Sequence, residues 1–236
     1  MRATYQGGWK RGVLSLLLFG ASFGYLEAAV VVYLRAIHEP ARQQHHPGRS
    51  PGDLFPLLTL EQLRGAGPAQ IDTLAIEIGR EAATLIMLAA VALAAARNAG
   101  QWLAAFAIAF GTWDITFYVF LKFLLDWPAS LETWDILFLI PVPWVGPVLA
   151  PVIVSASMIA AGLWHLRREA TGNPVLLGVK HWLGLVLGGA VIVLSFTLDY
   201  GNVMAGGMPR PFKWWIFGAG EAIGLLSYVY AARRVR

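Results

Sequence analysis

Apolar residues run along this chain in blocks too long for strands and too uniform for the helices of a water-soluble surface. Six such blocks occur, at about Val13–Leu34, Leu74–Ala96, Trp102–Leu125, Trp144–His165, Trp182–Leu198 and Trp214–Ala232. A bilayer span takes roughly 20 mostly apolar residues at about 1.5 Å rise each. In hydrocarbon the backbone must satisfy its own hydrogen bonds, which leaves helices or closed barrels. The blocks show none of the two-residue alternation of barrel strands. The pattern therefore predicts an all-α, polytopic integral membrane protein: one domain over residues 1–236, built as a six-transmembrane-helix bundle. The first block follows Lys10 and Arg11, as a signal peptide would. It continues to Leu34 without a small-x-small cleavage site, so it reads as a span.

Two interruptions stand out. Residues 37–72 form a long loop rich in Pro, Gly and His, which predicts no packed domain, with a short interfacial helix at Thr59–Arg64. The second is the proline-rich segment 135–151, DILFLIPVPWVGPVLAP. From Ile136 to Trp164 there are 29 uncharged residues, too many for one straight span, and Pro141, Pro143, Pro147 and Pro151 break the first half. Ile136–Val145 is accordingly predicted as a non-helical, broken or re-entrant segment before the fourth span. Such backbone is tolerated at membrane depth only where protein or a water-filled cavity covers it. A buried proline-rich connector is the plainer alternative.

Composition supports the membrane assignment. The chain is 57% hydrophobic and 14% charged, with a mean hydropathy of +0.59; soluble domains carry roughly 25% charged residues. The net charge of +4 forms no nucleic-acid patch, and the absence of cysteine excludes disulfides, thiolate metal sites and cysteine nucleophiles. Lys and Arg in short loops set orientation. With the N-terminus inside, the inner side holds Arg2, Lys10, Arg11, Arg97, Arg167, Arg168, Lys180, Arg233, Arg234 and Arg236. The outer side holds Arg35, Arg42, Arg49, Arg64, Arg210 and Lys213. The bias predicts an integral protein of the cell (inner) membrane with both termini cytoplasmic. Trp127, Trp134, Trp144, Trp214 and Trp215 would then mark the outer interface, and Trp9, Trp102, Trp164 and Trp182 the inner one.

Charges inside the spans carry the functional signal. A charge at the centre of a bilayer helix costs about 2.5–3.5 kcal/mol on insertion scales, and such residues usually face the bundle interior. They are Glu27 in span 1; Glu77, Arg80 and Glu81 in span 2; Asp114 and Lys122 in span 3; and Glu221 in span 6. Asp199 ends span 5, and Asp135 begins the proline-rich segment. All fall in the middle or outer half of the bilayer, which predicts one carboxylate-rich cavity lined by spans 1, 2, 3 and 6. Glu77 and Glu81 are one turn apart, and Thr84 extends their face. For Glu77 and Arg80 the alternative is a place at headgroup level, with Arg80 snorkelling.

Three of the acids share a local pattern. Phe23-Gly24, Phe110-Gly111 and Phe217-Gly218 are each followed, three residues after the glycine, by Glu27, Asp114 and Glu221. The glycine removes a side chain on the face of the carboxylate, where a helix or ligand can approach. Glycines four apart, such as Gly20 and Gly24, also suit close helix packing. FGYLEAAVVVYLRAIHE further matches FGTWDITFYVFLKFLLD in its order of acid, base and acid, suggesting a repeated unit; the likeness of spans 3 and 6 would instead suggest an inverted repeat.

Glu27, Glu77, Glu81, Asp114 and Glu221 face two compensating bases, Arg80 and Lys122. The excess requires protonation or a bound cation. No resident cofactor is predicted. Oxygen-rich sites suit hard cations such as Na⁺, Mg²⁺, Ca²⁺ or Mn²⁺. His165 and His181 read as interfacial anchors rather than as a bis-His haem pair, and His38, His45 and His46 as solvated loop residues. No Walker loop, GxSxG elbow or HExxH motif occurs. The expected partners are membrane lipids and a small solute or ion, with a homo-oligomer or larger membrane complex as further associations. The leading functional expectation is proton- or cation-linked transport of a small solute. Glu27, Asp114 and Glu221 would bind, Glu81 would relay protons or coordinate, and Arg80 and Lys122 would hold the acids ionised or gate them. The alternatives are an outer-leaflet enzyme acting on a lipid or lipid-linked sugar, and a non-catalytic subunit of a membrane complex.

Overall fold

A computed structural model describes residues 8–50 and 52–233. Its helices are α1 (Gly8–His45), α2 (Leu60–Gly65), α3 (Pro68–Ala95), α4 (Ala99–Leu125), α5 (Leu149–Ala170), α6 (Val179–Thr197), α7 (Tyr200–Met204) and α8 (Trp214–Arg233). Among the described residues six helices are long and apolar enough to cross a membrane: α1, α3, α4, α5, α6 running on through α7, and α8. The chain is a multi-pass helical membrane protein. Arg2, Arg234 and Arg236, which contribute to the charge bias, lie outside the described residues.

Helix α4 is the axis of the bundle. In its apolar window 56% of residues are buried, against 22–28% for the other spans. Small residues bring its neighbours close. A Cβ at Gly24 of α1 would sit 2.8 Å from the Trp113 carbonyl oxygen, and one at Gly20 would sit 2.8 Å from that of Ala109. These contacts fix α1 and α4 as parallel neighbours. Gly111 meets the Ser155 carbonyl and Gly162 of α5 that of Ala104, so α5 runs antiparallel to α4. Trp102 donates its indole N–H to the Ala89 carbonyl at 3.1 Å, tying the start of α4 to the end of α3. Helices α6 and α8 form a second close antiparallel pair, with Gly188 against the backbone of Gly220 and Gly224.

The proline-rich segment is non-helical, as its sequence predicts, but it is ordered as an antiparallel hairpin. Strand β1 (Trp134–Phe138) pairs with β2 (Trp144–Pro147), with a register irregularity between Ile136 and Phe138. Proline denies the backbone its helical donors, and the hairpin satisfies the remaining groups by cross-strand pairing. Thr133 and Leu131 carbonyls then accept from Val148 and Leu149, handing the chain into α5.

The long loop is shorter than the sequence suggests. Helix α1 takes in the first nine residues of the expected loop, through Pro40 to His45, and α3 begins at Pro68 rather than Leu74. Pro40 removes one backbone donor from a well-formed helix, a local cost that neighbouring turns outlast. His38 hydrogen-bonds Gln70, which holds the two helix extensions together. Gly67 at φ 117° makes the sharp turn into α3, a conformation that favours glycine. The expected short helix at Thr59–Arg64 is present as α2, with a reciprocal capping box between Thr59 and Gln62. Phe55 in the remaining loop is buried against Val145 and Val203, so the loop straps the hairpin down.

This strap also corrects the reading of the tryptophans. Trp127 is buried beside Tyr118, and Trp134 and Trp144 pack within the hairpin's clusters. Of the proposed outer set only Trp214 and Trp215 keep large exposed surfaces.

Candidate functional site

Glu27, Glu77, Arg80, Glu81 and Asp114 line one pocket of about 70 Å³, between α1, α3, α4 and the hairpin. Five of the seven charged residues singled out from sequence therefore converge. Aromatic and aliphatic side chains close the rest of the wall, among them Trp113, Phe117, Tyr118 and Phe138.

Arg80 organises one side. Its Nε donates to Glu77 Oε2 at 2.8 Å and its Nη2 donates to Glu77 Oε1, a bidentate pair within one turn of α3. Its Nη1 donates to Glu27 Oε2 at 2.5 Å and to Thr84 Oγ1 at 3.3 Å. One guanidinium thus joins α3 to α1 through two carboxylates. The planar fork of five donors makes this arrangement specific to arginine. With Glu77 so engaged, Arg80 is no snorkelling surface residue; its side chain is 22% exposed.

The other side has acids without bases. Both oxygens of Glu81 accept the backbone N–H of Leu139, at 3.1 and 2.8 Å, just beyond β1. Asp114 Oδ2 accepts the Ser155 hydroxyl at 2.8 Å. Among the described residues neither carboxylate forms an ion pair. Both are buried, at 8% exposure each. A third buried acid lies one layer away: Asp135 accepts the Tyr118 hydroxyl at 2.9 Å and its neighbour's backbone N–H, from Ile136, at 2.8 Å. Burial pushes the Asp135 carboxyl up to about 6, although the Tyr118 hydroxyl and the charge of Arg35 pull the other way.

Two expected members are elsewhere. Lys122 Nζ pairs with Asp126 Oδ1 at 2.7 Å, with its side chain half exposed, at the end of α4. It neutralises no pocket acid; it holds the Asp126 carboxyl below its usual range. Glu221 lies on α8 and meets the Ser157 hydroxyl of α5, outside the pocket lining. The glycines explain the split. Gly24 and Gly111 are pressed against neighbouring helices, which walls in Glu27 and Asp114. A Cβ at Gly218 would meet nothing within 4 Å, so Glu221 is not enclosed in the same way.

Ser155, Tyr118, Trp113 and the Leu139 amide were not anticipated in the site. Ser155 is a lone small polar residue in an apolar span, and nothing in the sequence ties it to Asp114. The histidines stay apart: His181 Nδ1 accepts the Gly178 N–H at 3.0 Å, while His165 Nε2 lies 3.9 Å from Glu169. Among the described residues no three His, Asp or Glu side chains converge as a metal-holding group. Comparison with protein-family models, curated proteins and solved structures finds no match to this chain.

Proposed function

We propose that the chain is a proton- or cation-linked carrier of a small solute, with the pocket under the hairpin as its binding site. One observation carries this reading: four carboxylates and a single arginine share a pocket of about 70 Å³. Arg80 offsets one charge. Each remaining ionised acid costs several kcal/mol at a low-dielectric site, so the pocket favours uptake of protons or a positively charged guest. Exchange of that positive charge across the membrane is the simplest work such a site does. Glu81 and Asp114, which form no ion pair among the described residues, are the exchanging groups, and the Glu27–Arg80–Glu77 triad is the fixed part. Lys122 and Glu221 stand outside this scheme.

The volume speaks against the lipid-processing alternative. Pockets for drug-sized ligands run to roughly 300–1,000 Å³, and this one is several times smaller. A structural subunit is the second reading, and a specific observation favours it: each pocket acid has a protein hydrogen-bond partner. Uptake measurements separate the two. Purified protein in proteoliposomes, with an internal pH dye and an imposed proton gradient, should move protons with a solute, and Glu81→Gln or Asp114→Asn should abolish the flux. A reconstituted, folded protein that moves neither protons, by the dye, nor sodium, by a tracer under a sodium gradient, beyond the rate of empty vesicles rules out the carrier.

A further inference from the structure

A second cleft lies at the end of the bundle away from the hairpin, where α6 begins and α8 ends. Gly178, Val179, Lys180, His181, Ser227 and Tyr230 line about 300 Å³ there. We infer that this cleft holds the phosphate of an anionic glycerophospholipid, whose acyl chains lie along α6 and α8.

The local sequence builds a set of donors. His181 turns its ring back on the entry to α6, and its Nδ1 accepts the Gly178 N–H at 3.0 Å. A ring nitrogen that accepts carries no proton, so the proton sits on Nε2. The residue is only 9% exposed. Its Nε2 meets no acceptor among the described residues, and unlike the enclosed indole nitrogen of Trp113 it keeps accessible surface. His181 lines the cleft, so this N–H is offered there. The amides of His181 and Trp182 fold back on the Gly178 carbonyl, at 2.9 and 3.2 Å. Those of Val179 and Lys180, the first two of α6, have no partner among the described residues. Opening amides have no acceptor within their own helix, and they favour anions. Lys180 adds an ammonium that forms no ion pair among the described residues.

Three further observations choose the occupant. No lining residue is acidic, so the ammonium of a zwitterionic headgroup finds no counter-charge and a net negative one is preferred. A space of about 300 Å³ matches the lower end of organic ligand sites, roughly 300–1,000 Å³, and takes a glycerophosphate rather than a bare ion. Val179, Leu183 and Leu187 follow one another at one-turn spacing on α6 and stay exposed, as does Leu226 one turn before Tyr230 on α8. Apolar surface thus leads from the donors along the spans, where acyl chains run. Basic pockets between membrane helices take such headgroups on the cytoplasmic side, the side that the Lys and Arg bias gives to this end of the bundle.

Native mass spectrometry of the full chain in detergent tests this, with phosphatidylglycerol and phosphatidylcholine of identical acyl chains as probes. The first phosphatidylglycerol should bind at least about fivefold more tightly than phosphatidylcholine. Lys180→Gln should weaken it about fivefold. His181→Asn can still accept the Gly178 amide but has nothing in place of Nε2, and should weaken it about tenfold. Lys213→Gln removes an exposed lysine at the opposite end of α8 and should change nothing. Lys180 is exposed, so its variant keeps the test decisive even if His181→Asn does not fold. Equal retention of the two lipids, or a loss with Lys213→Gln as large as with Lys180→Gln, overturns the inference. Melts with inorganic phosphate and glycerol 3-phosphate separate the sources: stabilisation by either that Lys180→Gln removes, without a lipid preference, gives the cleft to a soluble anion and overturns the lipid.

Discussion

Glu81 on α3 grips the hairpin by one backbone group: both of its carboxylate oxygens accept the Leu139 N–H, at 3.1 and 2.8 Å. The hairpin's pocket-facing side chains, Ile136 to Phe138, are apolar, so with Glu81 ionised this contact is a charge-assisted polar tie between the cover and the acids beneath it.

Glu81→Gln should loosen that tie. A glutamine offers one neutral oxygen and turns a donor toward the same amide. Hydrogen bonds to charged groups are worth about 1.5–3 kcal/mol, so local opening at Leu139 should become roughly ten- to hundredfold more frequent. Hydrogen–deuterium exchange on residues 134–147 reads it directly. The α6–α8 pair should exchange as before. Unchanged protection at Leu139 would mean that the strap around Phe55, and not Glu81, holds the cover.

Arg80 should prove the most costly single replacement in the site. Arg80→Gln leaves Glu27 and Glu77 buried without their counter-charge, and breaking a buried pair this way costs about 3–5 kcal/mol. Arg80→Lys should recover little, because one ammonium cannot bridge two carboxylates and Thr84 as the guanidinium does. Adding Glu27→Gln to Arg80→Gln should cost less than the sum of the single changes. Thermal melts of the four proteins give the coupling, and strict additivity would show that Glu27 and Arg80 do not depend on each other.

The three glycines that precede an acid should differ under the same substitution. Gly24→Ala would put a Cβ 2.8 Å from the Trp113 carbonyl, and Gly111→Ala one 2.6 Å from the Ser155 carbonyl. Backbone cannot swing aside as a side-chain end can, so each should destabilise by about 1–3 kcal/mol. Gly218→Ala meets open space and should be neutral or slightly stabilising through helix propensity. Detergent melting temperatures rank the three, and equal losses would defeat the packing explanation.

The spans were legible because length and apolarity alone determine them, and hydrocarbon leaves the backbone few options. Non-helical backbone at 136–145 was legible from its prolines, but the pairing of Ile136 with Val145 was not, since proline says what a segment avoids and not what it adopts. Helix α1 ran on through Pro40 because a single missing donor near water is a small loss beside continued helix. In the site, which helices carry the acids was legible and where each side chain turns was not. Glu27, Asp114 and Glu221 carry the same local signature, yet only the first two are enclosed. What separates them is a neighbouring helix against Gly24 and Gly111, a tertiary fact with no local trace. Lys122 lies on the same helix as Asp114, but its reach ends at Asp126.

Asp135 should give the protein a pH-dependent stability that asparagine removes. Its carboxyl is buried, and desolvation raises it from an ordinary 3.8 to about 6. A raised carboxyl binds its proton more tightly in the folded chain than in the unfolded one. Stability from this group is therefore fully present below about pH 4 and falls as pH rises through about 6. The shift of roughly two units corresponds to about 3 kcal/mol between the two ends of that window. Asp135→Asn keeps an oxygen for the Tyr118 hydroxyl and carries no charge to desolvate. It should flatten this part of the profile and melt higher than wild type at pH 7.5. Arg35 opposes the effect, since its guanidinium favours the ionised form and lies 4.3 Å from the centre of the Trp127 ring. Arg35→Gln should accordingly carry the loss on to pH values above about 6 and enlarge its total. Detergent melts from about pH 4 to about pH 8 for the three proteins decide it, and a wild-type profile as flat as that of the asparagine variant would mean that Asp135 is solvated in the folded protein.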